Sequence, residues 1–344
     1  MRFITPLCVS LCLSLATAAC VDDGSSVGES SAASGEGRDS GAHPGWRDLA
    51  PIAVGPRQEH SVVALDGKVY VIAGLDADQR NTGRVEVYDP RAETWSEAAP
   101  LPLGLNHANV AAVNGKIYLL GGMIGDFPWM AIGDAFEYDP ATDAWTALDP
   151  MPEGTARGSA AVGTSGTKIY LAGGLRSLSS PFQDTVATFS SYDVVTGAWE
   201  TLPDLPEPRD HVAGAVVGST FYVLGGRANG QDNVAGTVFA YDLSAGAWST
   251  RAPMPTARGG VATAVIGETI YVIGGEGNQE PGTSGIFDDN EAYDTARDAW
   301  EVLAPMRTPR HGTGAAAVGS TIYVPGGGTQ QGFGATDVAD AFRP

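Results

Sequence analysis

One course of residues recurs six times along this chain: an Arg, an apolar run carrying a Tyr and closing on glycine, a Tyr-Asp pair, and a lone Trp. The tryptophans fall at Trp46, Trp95, Trp145, Trp199, Trp248 and Trp300, at intervals of 49, 50, 54, 49 and 52 residues. A four-stranded sheet of about 50 residues cannot bury both faces alone, so such units must pack radially, as the blades of a β-propeller. Of the 344 residues, the repeat occupies 46–342, which predicts one all-β domain rather than two.

The position 13 residues before each hairpin Tyr sets the register. Arg57, Leu105, Arg157, Arg209, Arg258 and Arg310 pair in this way with Tyr70, Tyr118, Tyr170, Tyr222, Tyr271 and Tyr323. Small and β-branched residues follow (HSVVAL, HVAGAVV, GTGAAAV), as suits an innermost strand where a radial sheet tapers. Asp66-Gly67 and Asn114-Gly115 are two-residue hairpin signals. A second strand ends at glycine, a variable loop follows, and a third strand ends in Tyr-Asp before the Trp strand and a proline-bearing linker. In this combination the chain from residue 46 on resembles the kelch repeat and is identified as a member of that family, which implies a six-bladed kelch β-propeller. The register enters at Trp46, a fourth-strand position, and leaves near Phe342, a third-strand position. Residues 46–51 should therefore supply the outer strand of the last blade, so that no strand edge is left unpaired between first and last blades.

Ahead of the repeat, residues 3–19 are apolar and small behind Arg2, as in a signal peptide, and are too short for a good transmembrane helix. The stretch LSLATAAC resembles a bacterial lipoprotein signal, which implies a lipid anchor on Cys20, although Thr17 stands where that motif has Leu. The other reading is ordinary cleavage that leaves Cys20 free. Residues 20–45 then read as the anchor Cys and a disordered Ser/Gly/acid tether, too poor in apolar bulk to offset its ordering entropy. The expectation is an exported monomer on a leash, touching the membrane only through Cys20. Net charge is −20 with three lysines, so nucleic acid and anionic bilayers would be repelled.

In an antiparallel meander the connections alternate between the two faces of the disc. The linkers before the first strands share one face with the variable loops. Arg57, Arg157, Arg209, Arg258 and Arg310 should lie there together with Arg80, Arg84, Arg176 and Arg227, a local positive rim on an acidic protein. Guanidinium groups suit carboxylates, so this face is expected to take an anionic ligand, either an acidic peptide or protein or a sugar acid. Structural duty against backbone carbonyls is the competing role for each ring Arg, and Leu105 breaks the ring. Asp126-Phe127-Pro128-Trp129-Met130 sets an aromatic loop on the same face, either tucked over the channel mouth or serving as a ligand anchor through Trp129.

His60, His107, His211 and His311 come from four blades at slightly different offsets, so their side chains need not converge. No short His/Asp spacing supports a metal site, and neither metal nor cofactor is expected. A copper radical oxidase needs a Cys–Tyr cross-link, and the propeller has no Cys. Asp76 and Asp78 begin like a calcium loop, but Arg80, Asn81 and Val87 fill positions that need oxygen ligands or glycine. Gly163-Thr164-Ser165-Gly166-Thr167 lacks the final glycine of a nucleophile elbow. The reading is a binding module. Its rivals are a structural surface protein and a periplasmic sialic-acid epimerase, a class that bacterial six-bladed kelch proteins include. Glu280 or His211 would be the acid/base group of such an enzyme.

Overall fold

The computed structural model describes residues 45–180 and 182–344. The signal segment, Cys20 and the tether up to residue 44 lie outside them. Six antiparallel sheets stand around an axis, each a meander from the inside outwards. Blade 1 is Ser61–Leu65, Lys68–Ile72, Val85–Asp89 and Thr94–Ala98, and blades 3 to 5 repeat its order. In blade 6 the strands Ala316–Val318, Thr321–Pro325 and Ala339–Arg343 are completed by Gly45–Asp48, with Trp46 opposite Phe342. The ring is closed by the N-terminal strand, as the register predicts. That strand begins at Gly45, one residue inside the expected tether, because Gly45 pairs with Arg343.

Local chemistry sets each meander. Asp66 and Gly67 both take positive φ (51° and 75°), as do Asn114 and Gly115 (52° and 77°), which matches the right-handed twist of a two-residue hairpin. Inner strands are made of small residues because neighbouring blades nearly touch there. A Cβ on Gly214 would sit within van der Waals contact of the blade-3 backbone at Val162. Apolar clusters fill each gap between blades. One joins Ile72 and Val85 of blade 1 to Leu119, Phe136 and Tyr138 of blade 2, and another joins Val71 and Tyr88 to Tyr323 of blade 6.

The tryptophans lock the outside. Each ring lies 5.0–5.1 Å from the aromatic ring opposite it in the third strand. Trp46, Trp95, Trp145, Trp248 and Trp300 also donate Nε1–H to a linker carbonyl, at 2.8–2.9 Å. The Nε1 of Trp199 has no such partner, and nothing in the structure explains the exception.

Blade 2 departs from the pattern. Its second and third strands extend to Lys116–Ile124 and Trp129–Asp139, and the strands Leu175–Leu178 and Gln183–Thr185 of the blade-3 loop join them in one six-stranded sheet. The loops of blades 2 and 3 thus form a wall beside the channel mouth.

Candidate functional site

Six residues, one per blade and each two positions after the register residue, form a closed ring at the neck of the channel: Glu59, His107, Ser159, His211, Gly260 and Gly312. All have φ between 47° and 64°. Around the ring each amide donates to the carbonyl of the preceding blade. The donor–acceptor pairs are His107–Glu59 (3.0 Å), Ser159–His107 (2.8 Å), His211–Ser159 (3.2 Å), Gly260–His211 (2.8 Å), Gly312–Gly260 (3.0 Å) and, closing the circle, Glu59–Gly312 (2.6 Å). A left-handed backbone costs a non-glycine residue about 1–2 kcal/mol, and four of the six accept it. The two glycines make room for the others. A Cβ on Gly312 would overlap the Glu59 carboxylate, and one on Gly260 would stand 3.3 Å from Oε1 of Glu276.

Above this neck opens a funnel of about 630 Å³ on the variable-loop face. Its two sides differ because the residue after the glycine that ends each second-strand motif (Ala73-Gly74 in blade 1, Gly-Gly in the others) differs. In blades 1 to 3 that residue is Leu75, Met123 or Leu175, which pack with Trp129 and Leu178. In blades 4 and 5 it is Arg227 or Glu276. Trp129 is buried. Its ring lies 5.3 Å from Phe127, 5.9 Å from Phe333 and 5.5 Å from the imidazole of His107. Phe127, Met130 and Phe333 remain exposed around the mouth.

The polar side is a buried cluster. Nδ1 of His107 faces Oδ1 of Asn106, and the Asn106 amide is oriented by its donation to Oδ1 of Asn81 (2.5 Å). Nδ1 of His211 faces Oδ1 of Asp210 at 2.6 Å. The two Nε2 atoms lie 2.9 Å apart, and Nε2 of His107 is 3.1 Å from Oε2 of Glu59. Arg227 pairs with Glu276, reaches Asp210 at 3.3 Å and donates to Nε2 of His211 at 2.9 Å. Nδ1 of His311 lies 3.5 Å from Glu276 and 3.7 Å from Glu59. Burial alone would favour the neutral acid of Glu59. The imidazole of His107, followed by those of His311 and His211, outweighs it and holds the carboxyl below its ordinary range. Burial, reinforced by Arg227, pushes His211 below the usual imidazole value. Acid–base groups, a fixed cation and nitrogen and oxygen donors within 4.8 Å of one another thus meet at the funnel floor.

The expected arginine rim is redistributed by the structure. Arg57, Arg157, Arg258 and Arg310 are all buried inside their own blades. Arg57 pairs with Glu86, Arg258 with Glu291 (2.5 Å) and Arg310 with Asp340 (2.6 Å), and Arg157 donates to Ser190 (2.8 Å). Arg209 bonds Glu207 and lies 6.0 Å from the centre of the Phe239 ring. Each of these partners except Glu207 stands two residues before the third-strand aromatic. Leu105 meets Phe136 at that position, so the broken ring is a local exchange of an ion pair for an apolar contact. Arg176 is exposed and held by Asp184 at 2.9 and 3.1 Å. Of the residues predicted to bind ligand, His211, Arg227 and Trp129 line the funnel. Sequence reasoning assigned no site role to Glu59, Asp210 or Glu276, and left open whether the histidines converge. The offsets carried the signal: His107 and His211 share one register position, whereas His60 lies one residue later and His311 one earlier.

The fold defines a β-propeller binding module. The chain belongs to the kelch-repeat family. The kelch-repeats domain of KLHDC2, KLHL20 and DRC7 matches residues 112–328, and a kelch motif matches 56–102. The chain is 43% identical over 311 residues to the kelch-like protein terF of Aspergillus terreus, covering 87% of this chain and 68% of that protein. It is 31% identical over 182 residues to mouse kelch-like protein 35, but spans only 29% of that protein's length. Among solved structures, the one titled YjhT superposes with a TM-score of 0.70 at 17% identity, over 84% of this chain and 95% of that one. At that identity the likeness is one of fold.

Proposed function

We propose that this propeller binds a small organic molecule, polar at one end and apolar at the other, in the loop-face funnel. The observation that carries the reading is the two-sided lining: Trp129, Phe127, Phe333 and Leu178 against Glu59, His107, His211, Arg227 and Glu276. A concave site of about 630 Å³ suits a molecule of drug or sugar size better than a protein surface. An acid group on the ligand, as in a sugar acid, would be met by Arg227, whose planar fork gives two parallel bonds. With the ring arginines spent inside the blades, an acidic peptide finds no ring of free guanidinium groups. Export and attachment through Cys20 are part of the same proposal.

The test is a calorimetric panel of sialic acid, uronic acids, their neutral parent sugars, small cyclic polar molecules and acidic peptides. Phe333→Ser and Arg227→Lys should each weaken a small ligand about tenfold, or ~1.4 kcal/mol, while Arg176→Ala should not. A ligand held equally by all three variants would sink the proposal, as would one that binds on the hairpin face with Asp66-Gly67. The imidazole–carboxylate cluster favours one second reading, a sugar epimerase, in which His211 rather than Glu280 would handle the proton because only His211 lines the funnel. Turnover of a panel member, lost in His211→Gln, would promote it.

A further inference from the structure

We infer that the funnel floor is a binding site for a divalent transition-metal ion, held by Glu59, His107 and His211. The first support is tautomeric. The carbonyl oxygen of the Asn106 amide can only accept, and the carboxylate of Asp210 can only accept, so each imidazole must carry a proton on Nδ1. The two Nε2 atoms then face one another at 2.9 Å, and that of His107 also faces a Glu59 oxygen at 3.1 Å. Three atoms able to ligate thus converge at one point of the floor. A cation there displaces any proton held on Nε2 and is coordinated by all three. An Nδ1–H held by an amide or carboxylate oxygen, with Nε2 free to ligate, is how metal-binding histidines are oriented.

Geometry and charge agree. Donors on a shell of about 2.1 Å lie about 3.0 Å apart at right angles and about 3.4 Å at the tetrahedral angle, close to the spacings of His107 from His211 (2.9 Å) and from Glu59 (3.1 Å). The cluster holds three carboxylates (Glu59, Asp210 and Glu276) against one guanidinium, Arg227. The other buried carboxylates, Glu86, Glu291 and Asp340, each have an arginine. An uncompensated buried charge is costly, and a doubly charged ion removes the imbalance. Arg227 gives up its bond to His211 on metal binding but keeps Asp210 and Glu276. Two imidazoles and one carboxylate suit zinc or ferrous iron rather than calcium or magnesium, and the coordination positions left open face the funnel. The site therefore stands independently of which molecule fills the funnel.

The experiment uses the untagged chain, stripped with chelator and titrated with Zn²⁺, Co²⁺ and Ca²⁺ by calorimetry and visible absorption. The expected result is one Zn²⁺ or Co²⁺ per chain, zinc the tighter, and no heat from Ca²⁺. Glu59→Gln, His107→Gln and His211→Gln should each weaken binding at least a hundredfold, and Asp210→Asn, which orients a ligand without touching the ion, ten- to a hundredfold. X-ray absorption on the wild-type cobalt complex should report two imidazoles, a readout that survives if a variant fails to fold. Binding retained by both histidine variants, a cobalt spectrum without imidazole, or no binding at micromolar metal would each overturn the inference. None of these results bears on the organic-ligand panel.

Discussion

Single residues in this protein are placed by where their polar atoms find partners. Four ring arginines sit inside blades because a carboxylate, hydroxyl or carbonyl waits there. His60 shows the opposite case. Its Nε2 donates to the Pro325 carbonyl at 2.8 Å, and its buried Nδ1 has no partner. Burial, with Arg57 as the next cause, pushes the imidazole down to about 3 from an ordinary 6.5. The folded value is the lower, so the unfolded chain takes up the proton first as pH falls. The stabilisation is whole above pH 6.5 and drains away toward pH 3, by up to about 1.4 kcal/mol per pH unit. Denaturant unfolding at pH 7.5 and pH 5 should therefore show His60→Gln losing about 2 kcal/mol less than wild type over that interval. Equal losses in the two proteins would remove His60 as the cause.

At the scale of the element, the decisive piece is the strand Gly45–Asp48. It has four residues, yet it is the sole outer strand of blade 6 and joins the two ends of the described chain. Trp46 carries most of that closure, with its ring 5.0 Å from Phe342 and its Nε1–H on Ala304 at 2.8 Å. Trp46→Ala should cost about 3–5 kcal/mol, in line with large-to-small changes at buried aromatic sites. Equilibrium unfolding within ~0.5 kcal/mol of wild type would mean that the ring closes without it. The extended blade-2 strands have a different task, since they bring Trp129 over the channel and give the funnel its apolar side.

For the whole molecule, a formal charge of −20 sets the surroundings it tolerates. Such a field repels anionic bilayers, so a lipid on Cys20 is the route by which this chain would stay at a membrane. Mass spectrometry of the mature N-terminus should find a lipidated Cys20, and Cys20→Ser should move the protein to the soluble fraction. An unmodified terminus, or a variant that still sediments with membranes, would refute the anchor.

The repeat period, the Tyr-Asp and Trp positions and the small inner-strand residues were enough to determine six blades, their strand order and the join between Trp46 and Phe342. These features follow from local twist, strand alternation and the need to bury two faces of each sheet, all of which are written within about 50 residues. Register also placed His211, Arg227 and Trp129 on the loop face. It did not separate arginines that fill a blade from one that lines the funnel, because that choice depends on what stands across the sheet: Glu86, Ser190, Glu291 or Asp340 for the former, Glu276 of another blade for Arg227. The meeting of Glu59, His107 and His211 was decided by the tertiary structure alone. It needs three blades closed on one axis, two glycines across the neck to leave room, and side chains up to 152 residues apart in sequence brought within 4.8 Å of one another by the ring.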